Sequence, residues 1–360
     1  MERVLVYRIG SLGDTLVSIP AFRATRAAFP AARITVLCDR QVGESYVLAA
    51  DLLKGTGLVD DIVIYPIDRS TRGRLLRPLV MARLAWTLRK RRFDTVVYLI
   101  GSDRPPDSVA RDRRFFRTAG IRRFVGFRGF PTWPSRRPPA GFGPVPHETD
   151  NILARLALDG IAVPAPGEAD PRLPAGDDAR AAFETWRAGL ADDGRRRWIS
   201  VGAGGKRPVN IWPVERFEEV VRTLIARYDV WPVLFGGPHD VADARRIAAA
   251  VGRGHVAAGA LTPPAAIHAM RHCTFHVGND TGTMHMAASA GLRCVGIYSS
   301  HNLPGLWWPY GRGHRVLRTP IDCENCLLFT CPDRGMACIL SITPARVVEA
   351  CEEILRSALS

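Results

Sequence analysis

The sequence predicts an α/β protein made of two parallel-sheet halves, and three observations carry that prediction. Short apolar runs alternate with helical patterns along most of the chain, the rhythm of βαβ units. Two of those units place a polar, glycine-bearing turn directly after a strand: Gly10-Ser11-Leu12-Gly13-Asp14 and Asn279-Asp280-Thr281-Gly282-Thr283. A Pro- and Gly-rich stretch, residues 164–176, separates the halves, and 360 residues suit about two domains. The expected division is 1–165 and 177–343, with 344–360 a C-terminal helix free to pack back on the first domain.

In the first half, residues 3–9 read as a strand, with a near-continuous apolar run. Residues 15–29 follow as a helix, with Leu16, Ile19, Phe22 and Ala27 on its apolar side. Pro20 inside it predicts a kink or a short first turn. Residues 33–38 form the next strand. The glycines of the first turn let a ligand approach the backbone, but they do not match the dinucleotide pattern G-x-G-x-x-G. Asp14 sits where turn becomes helix, so its carboxylate either faces a ligand or caps the helix. Strands are expected at 61–65 and 94–100. The basic segment between them, 72–92, can place Leu75, Leu76, Leu79, Val80, Leu84 and Leu88 on one face. Such a helix either packs on the sheet or docks on an anionic membrane surface. Residues 102–146 are Arg-, Pro- and Gly-rich and read as long loops, and 147–158 as a helix.

The second half repeats the rhythm. Strands are expected at 197–201, 230–235, 256–258, 275–278 and 294–298, and helices at 215–228, 243–251, 264–271, 284–290 and 345–358. In an open parallel sheet, ligands bind beyond the carboxyl ends of the strands. The turn at 279–283 lies at such an end and opens a helix, whose first N–H groups form an anion site. The hydroxyls of Thr281 and Thr283 add donors, and His285 can reach the same anion. A carboxylate repels phosphate, so Asp280 suits sugar or ribose hydroxyls, or it caps the helix.

Composition narrows the classes. Hydrophobic residues are 47% and charged residues 23%, which is ordinary for a globular protein and leaves no membrane-length apolar run. The N-terminus lacks a signal-peptide pattern, so a cytoplasmic location is the expectation. A formal charge of +14, mostly Arg, points to anionic partners or to an Arg-rich genome. A nucleic-acid partner is set aside, because no recognised motif accompanies the charge. A nicotinamide dehydrogenase would need the missing glycine fingerprint, although Asp39 stands at the end of the second strand. Of the eight cysteines, Cys38, Cys273 and Cys294 sit singly in apolar runs. Cys323, Cys326, Cys331 and Cys338 cluster at a spacing that suits a structural zinc site or a group of thiols.

Several motifs together carry a resemblance. R-I-G-S-L-G-D-T-L-V-S-I-P-A (residues 8–21) and A-F-P-A-A-R-I-T-V-L (28–37) resemble the opening of the family 9 glycosyltransferases, which include ADP-heptose:lipopolysaccharide heptosyltransferases. G-N-D-T-G-T-M-H-M-A-A (278–288) resembles that family's donor signature. W-P-x-E-R-F (212–217), F-G-G-P-H-D (235–240) and W-W-P-Y-G (307–311) fit as well. The resemblance implies a GT-B fold, two Rossmann-like domains facing across a cleft, with acceptor on the first and nucleotide-sugar on the second. It implies an inverting transfer with no required cofactor or metal ion, and Asp14 as general base. Ser11 and Gly13 fall at acceptor-side positions. Asp280, Thr281, Gly282, Thr283 and His285 fall at donor positions, with Leu261 and Asp240 near the nucleoside. Cysteine-bearing C-terminal segments occur in relatives, which favours a local staple over reaction chemistry.

The favoured donor is ADP-heptose. The implied acceptor is a lipopolysaccharide core or another anionic surface glycan or glycolipid, which adds the inner-membrane surface as a partner and a peripheral location. One departure matters: many members carry a lysine two residues before the W-P pair, where this chain has Asn210. Lys206 is the favoured replacement for its charge, with Arg207 beside it. The rival readings are a transferase of this fold using another nucleotide-sugar, and a nucleotide-sugar epimerase.

Overall fold

The computed structural model describes residues 1–44, 46–134, 136–190 and 196–359. The chain forms two compact units, Met1–Trp133 with Glu148–Asp170, and Pro134–His147 with Pro171–Ser360.

The first unit is built on a five-stranded parallel sheet. Its strands are β1 (Arg3–Tyr7), β2 (Arg33–Gln41), β3 (Asp61–Ile67), β4 (Thr95–Tyr98) and β5 (Arg123–Val125), in the order β3-β2-β1-β4-β5. The chain winds outward from β1 and then returns to its other side. The loops after β1 and β4 therefore diverge, which leaves a crevice at the carboxyl edge. Val4, Leu5 and Val6 of β1 are wholly buried, as a strand covered on both faces must be. Leu84 and Leu88 of helix Thr71–Arg91 pack with Leu5, Tyr7, Val96 and Phe116 on one of those faces.

Two expectations change here. Residues 15–29 do not form one kinked helix. They divide between Leu12–Leu16 and Ile19–Ala28, and Pro20 lies in the first turn of the second, where its missing N–H has no intrahelical partner to lose. Residues 102–146 are not all loop. Helix Pro106–Thr118 and strand β5 lie within them, and the helix buries Val109 and Phe116 one above the other. Arg residues on its outer side hide that apolar spacing in the sequence.

The second unit has a six-stranded parallel sheet: β6 (Arg197–Gly202), β7 (Val230–Leu234), β8 (His255–Val256), β9 (His276–Asn279), β10 (Cys294–Tyr298) and β11 (Arg315–Arg318). Their order is β11-β10-β9-β6-β7-β8. Here the winding reverses between β6 and β9. Helix Val214–Tyr228 presents Phe217, Val220, Val221 and Leu224 to the core.

The C-terminal helix Pro344–Leu359 packs within this second unit. Val347, Cys351 and Ile354 recur every three or four residues and, with Leu355, join the core that holds helix Val214–Tyr228 and β10. Residues 134–147 also belong to the second unit. The buried Glu324 carboxylate accepts from Arg137 Nε and Phe142 N–H, both at 2.9 Å, and from Arg318 at 2.8 Å.

Candidate functional site

In the first unit, the polar residues after β1 are organised around Asp14. Gly10 has φ +116°, and a Cβ there would fall 2.7 Å from Asp14 Oδ2, so only glycine fits this turn. Ser11 then caps the short helix Leu12–Leu16. Its N–H and its hydroxyl donate to Asp14 Oδ2 at 2.7 and 2.8 Å. The other oxygen, Oδ1, lies 3.5 Å from the Arg8 guanidinium, and the Asp14 side chain keeps 32% of its surface in solvent. Arg8 is buried and donates to the Leu99 carbonyl, 2.5 Å away at the end of β4. Burial lowers the Arg8 pKa, and the carboxylates of Asp14 and Glu148 oppose that shift. Asp14 thus has one oxygen fixed by Ser11 and one beside a buried cation. Gly13 lies in the same helical turn.

In the second unit, the predicted donor residues come together along the carboxyl edge of the sheet. Thr281 is the N-cap of helix Gly282–Ala290, and its hydroxyl lies 2.8 Å from that of Thr283. His285, one turn on, is buried and meets Trp307 edge-on, with ring centroids 6.1 Å apart. The loop after β6 passes directly beneath. A Cβ on Gly202 would come within 2.5 Å of Thr283 Oγ1, and one on Gly205 within 2.6 Å of Thr281 Cγ2. These glycines let the loop lie against the turn.

Asp240 joins this loop to the next. Its Oδ1 accepts from Gly205 N–H at 3.1 Å, and its Oδ2 from Gly237 N–H at 2.8 Å. One carboxylate thus ties the loop after β6 to the loop after β7. A Cβ on Gly204 would lie 2.0 Å from Asp240 Oδ1. Leu261, half-buried, follows β8 and precedes helix Pro263–Met270.

The structure adds a polar chain that sequence reasoning missed. Arg207 Nη1 lies 3.0 Å from His301 Nε2. A guanidinium can only donate, so Nε2 accepts and His301 carries its proton on Nδ1. Burial, reinforced by Arg207 and Arg318, lowers the His301 pKa to about 4, which agrees with a neutral ring. Nδ1–H then donates to Ser299 Oγ at 2.9 Å, and the Ser299 hydroxyl donates to Asn210 Oδ1 at 2.6 Å. Asn210 Nδ2 in turn donates to the Asp280 carbonyl and to its Oδ2, at 3.1 and 3.2 Å. Burial raises the Asp280 carboxyl to about 7, while Arg207 and Asn210 pull it back. Asn210 therefore connects Arg207 to Asp280 through neutral groups. Lys206 is exposed on the same loop. The one available signal for this chain was the polar Ser299-Ser300-His301 run directly after a buried strand.

Loops after five of the six strands thus contribute to the site, from β6, β7, β8, β9 and β10. That edge suits a ligand with an anionic group at the helix N-terminus and hydroxyls near Asp280 and Asp240. Residues 174–336 match the model of glycosyltransferase family 9 (heptosyltransferase). The resemblance read from the motifs is borne out.

A curated Haemophilus influenzae protein, provisionally described as a glycosyltransferase, is 21% identical over 98% of this chain and 96% of its own length. The crystal structure of a family 9 glycosyl transferase from Veillonella parvula superimposes with a TM-score of 0.76 at 19% identity, covering 99% of this chain and 98% of that one. The structure of E. coli ADP-heptose lps heptosyltransferase II gives 0.71 at 19% identity over the full length of both chains. At these identities the structural likeness is one of fold, and the fold is the GT-B type.

The cysteine-bearing segment packs beside this edge: Asn325 N–H donates to the Ser300 carbonyl and Leu327 N–H to the His301 carbonyl, both at 2.8 Å. Cys323, Cys326 and Cys331 are half-buried thiols and Cys338 is a buried one. Among the described residues, no three His, Cys, Asp or Glu side chains converge closely enough to hold a metal ion.

Proposed function

We propose that this protein is an inverting, metal-independent glycosyltransferase that moves heptose from ADP-heptose onto a lipopolysaccharide core or a related surface glycan. The observation that carries the reading is the donor edge. There an anion-binding helix start lies against a glycine loop bearing Lys206 and Arg207, beside a carboxyl group raised towards neutrality. The donor identity draws on the family 9 match and on the ADP-heptose named for the E. coli enzyme. With an acceptor of this kind, the protein works in the cytoplasm as a peripheral protein of the inner membrane.

In this reading the acceptor binds the first unit, beside Ser11 and Gly13. Asp14 Oδ1 takes the proton of the acceptor hydroxyl as its oxygen attacks the anomeric carbon. Ser11 holds the other carboxylate oxygen, so the base keeps one orientation. The bond from the anomeric carbon to the diphosphate oxygen breaks, its electron pair stays with the diphosphate, and the proton remains on Asp14. The sugar passes through an oxocarbenium-like state while negative charge grows on the leaving group. The N–H groups from Gly282 onward, the hydroxyls of Thr281 and Thr283, His285, Lys206 and Arg207 receive that charge. Near neutral pH, Asp280 can donate to as well as accept from a sugar hydroxyl. Asp240 keeps lone pairs for a ribose hydroxyl, and Leu261 packs by the nucleoside.

The test is calorimetric titration with ADP, UDP, GDP and NAD in the presence of EDTA. Tightest binding of ADP is expected. Preference for UDP or GDP would replace the donor, and binding of NAD alone would overturn the reading.

A further inference from the structure

We propose that helix Thr71–Arg91 is a docking surface for an anionic lipid bilayer. This deepens the peripheral placement proposed above and rests on it. The helix has two apolar faces. One carries Leu84 and Leu88, is buried, and packs on the first unit's sheet. The other carries Leu75, Leu79, Ala82 and Trp86, which recur at i, i+4, i+7 and i+11. At 3.6 residues per turn these four fall within an arc of roughly 60°, on the side away from Leu84 and Leu88. Leu75 is 76% exposed, Leu79 67% and Trp86 58%, with Leu76 exposed beside them. A folded helix does not need such a stripe in water, and among the described residues of this unit nothing covers it.

Charge decides what it faces. The helix has seven Arg and Lys residues and no Asp or Glu. Arg72, Arg83 and Lys90 flank the stripe, and the Lys90 ammonium sits 3.7 Å over the Trp86 ring. An apolar stripe edged by long basic side chains, with a tryptophan among them, fits the boundary between lipid headgroups and acyl chains. Anionic headgroups supply the opposite charge. The i, i+4, i+7 spacing would also suit a helix from a second copy, but each would bring the same excess of positive charge to the contact. Among the described residues no helix is long and apolar enough to cross a membrane, so this helix lies on the surface.

The experiment is co-sedimentation of the full chain with vesicles of phosphatidylcholine alone and of phosphatidylcholine mixed with phosphatidylglycerol. Leu79→Ser/Trp86→Ser is compared with the parent. The parent is expected to partition onto the anionic vesicles only, and to be released by high salt. The double variant should lose about tenfold or more of that partitioning, because two large side chains no longer leave water. Both residues are exposed, so its thermal unfolding should match the parent's, and ADP titration should give the parent's affinity. Equal partitioning of variant and parent overturns the proposal, and so does equal binding to neutral vesicles. A dimer in sedimentation velocity that the double variant abolishes would make a second copy the occupant instead. Loss of vesicle binding with ADP binding intact would remove the docking surface and leave the donor reading standing. Vesicle binding without ADP binding would do the reverse.

Discussion

Replacing Asp280 by Asn tests the electrostatics of the donor edge. Burial raises this carboxyl from 3.8 to about 7, so the folded protein holds the proton more tightly than the unfolded chain. The resulting stabilisation is complete below the unfolded value and disappears as pH rises through the folded one. Each pKa unit is worth about 1.4 kcal/mol. Between about pH 5 and about pH 8 the wild type should therefore lose about 2.5 kcal/mol from this group alone. That is an upper figure, because Asp280 is only half-buried and water offsets part of the cost. In the Asp280→Asn variant the side-chain amide would still accept from Asn210 and has no charge to bury. Urea unfolding of both proteins at the two pH values gives a difference of differences. Glu148, raised to about 7 by burial, shifts both proteins alike and cancels. If the two units unfold separately, the second unit's transition should carry the effect. A stability gap between the proteins that is the same at both pH values within about 0.5 kcal/mol would refute the reasoning.

Further outcomes follow from the same geometry. Asp14→Asn should remove most transfer, by about a hundredfold or more, while ADP affinity by calorimetry stays at the parent value. Transfer at the parent rate would exclude Asp14 as the base. Arg207→Ala should weaken ADP binding by about tenfold or more, the size of one lost charge-assisted hydrogen bond, and by more than Lys206→Ala does. The opposite ranking would give Lys206 the diphosphate. Gly204→Ala places a methyl group 2.0 Å from Asp240 Oδ1 and should cost about 1–3 kcal/mol of stability, read as a lower melting temperature. An unchanged melting temperature would mean that the loop shifts freely.

Much of this was legible because βα turns write their chemistry locally. Asp14 and the run from Asp280 to His285 each follow a buried strand within a few residues, so period and turn composition were enough to find them. The strand order was not legible, since nothing local says that β9 lies beside β6. The same gap hid the polar chain, because Arg207 and His301 are 94 residues apart in sequence and meet only through that strand order. Asn210 therefore looked like a missing cation, when its partners are the neutral Ser299 and the carboxyl of Asp280. The C-terminal helix was recognisable from its apolar spacing. Its partner was not, since an amphipathic face names no neighbour.

The Asp240 staple bears on how a donor is discriminated. Two loops that share one carboxylate, with no room for a Cβ between them, cannot shift independently. In the proposed reading, a nucleoside that displaced Gly236 and Gly237 would pull on Gly204 and Gly205 through Asp240, and Arg207 lies two residues further along. A wrong base would thus be felt at the leaving group, and selectivity would appear in turnover as well as in affinity.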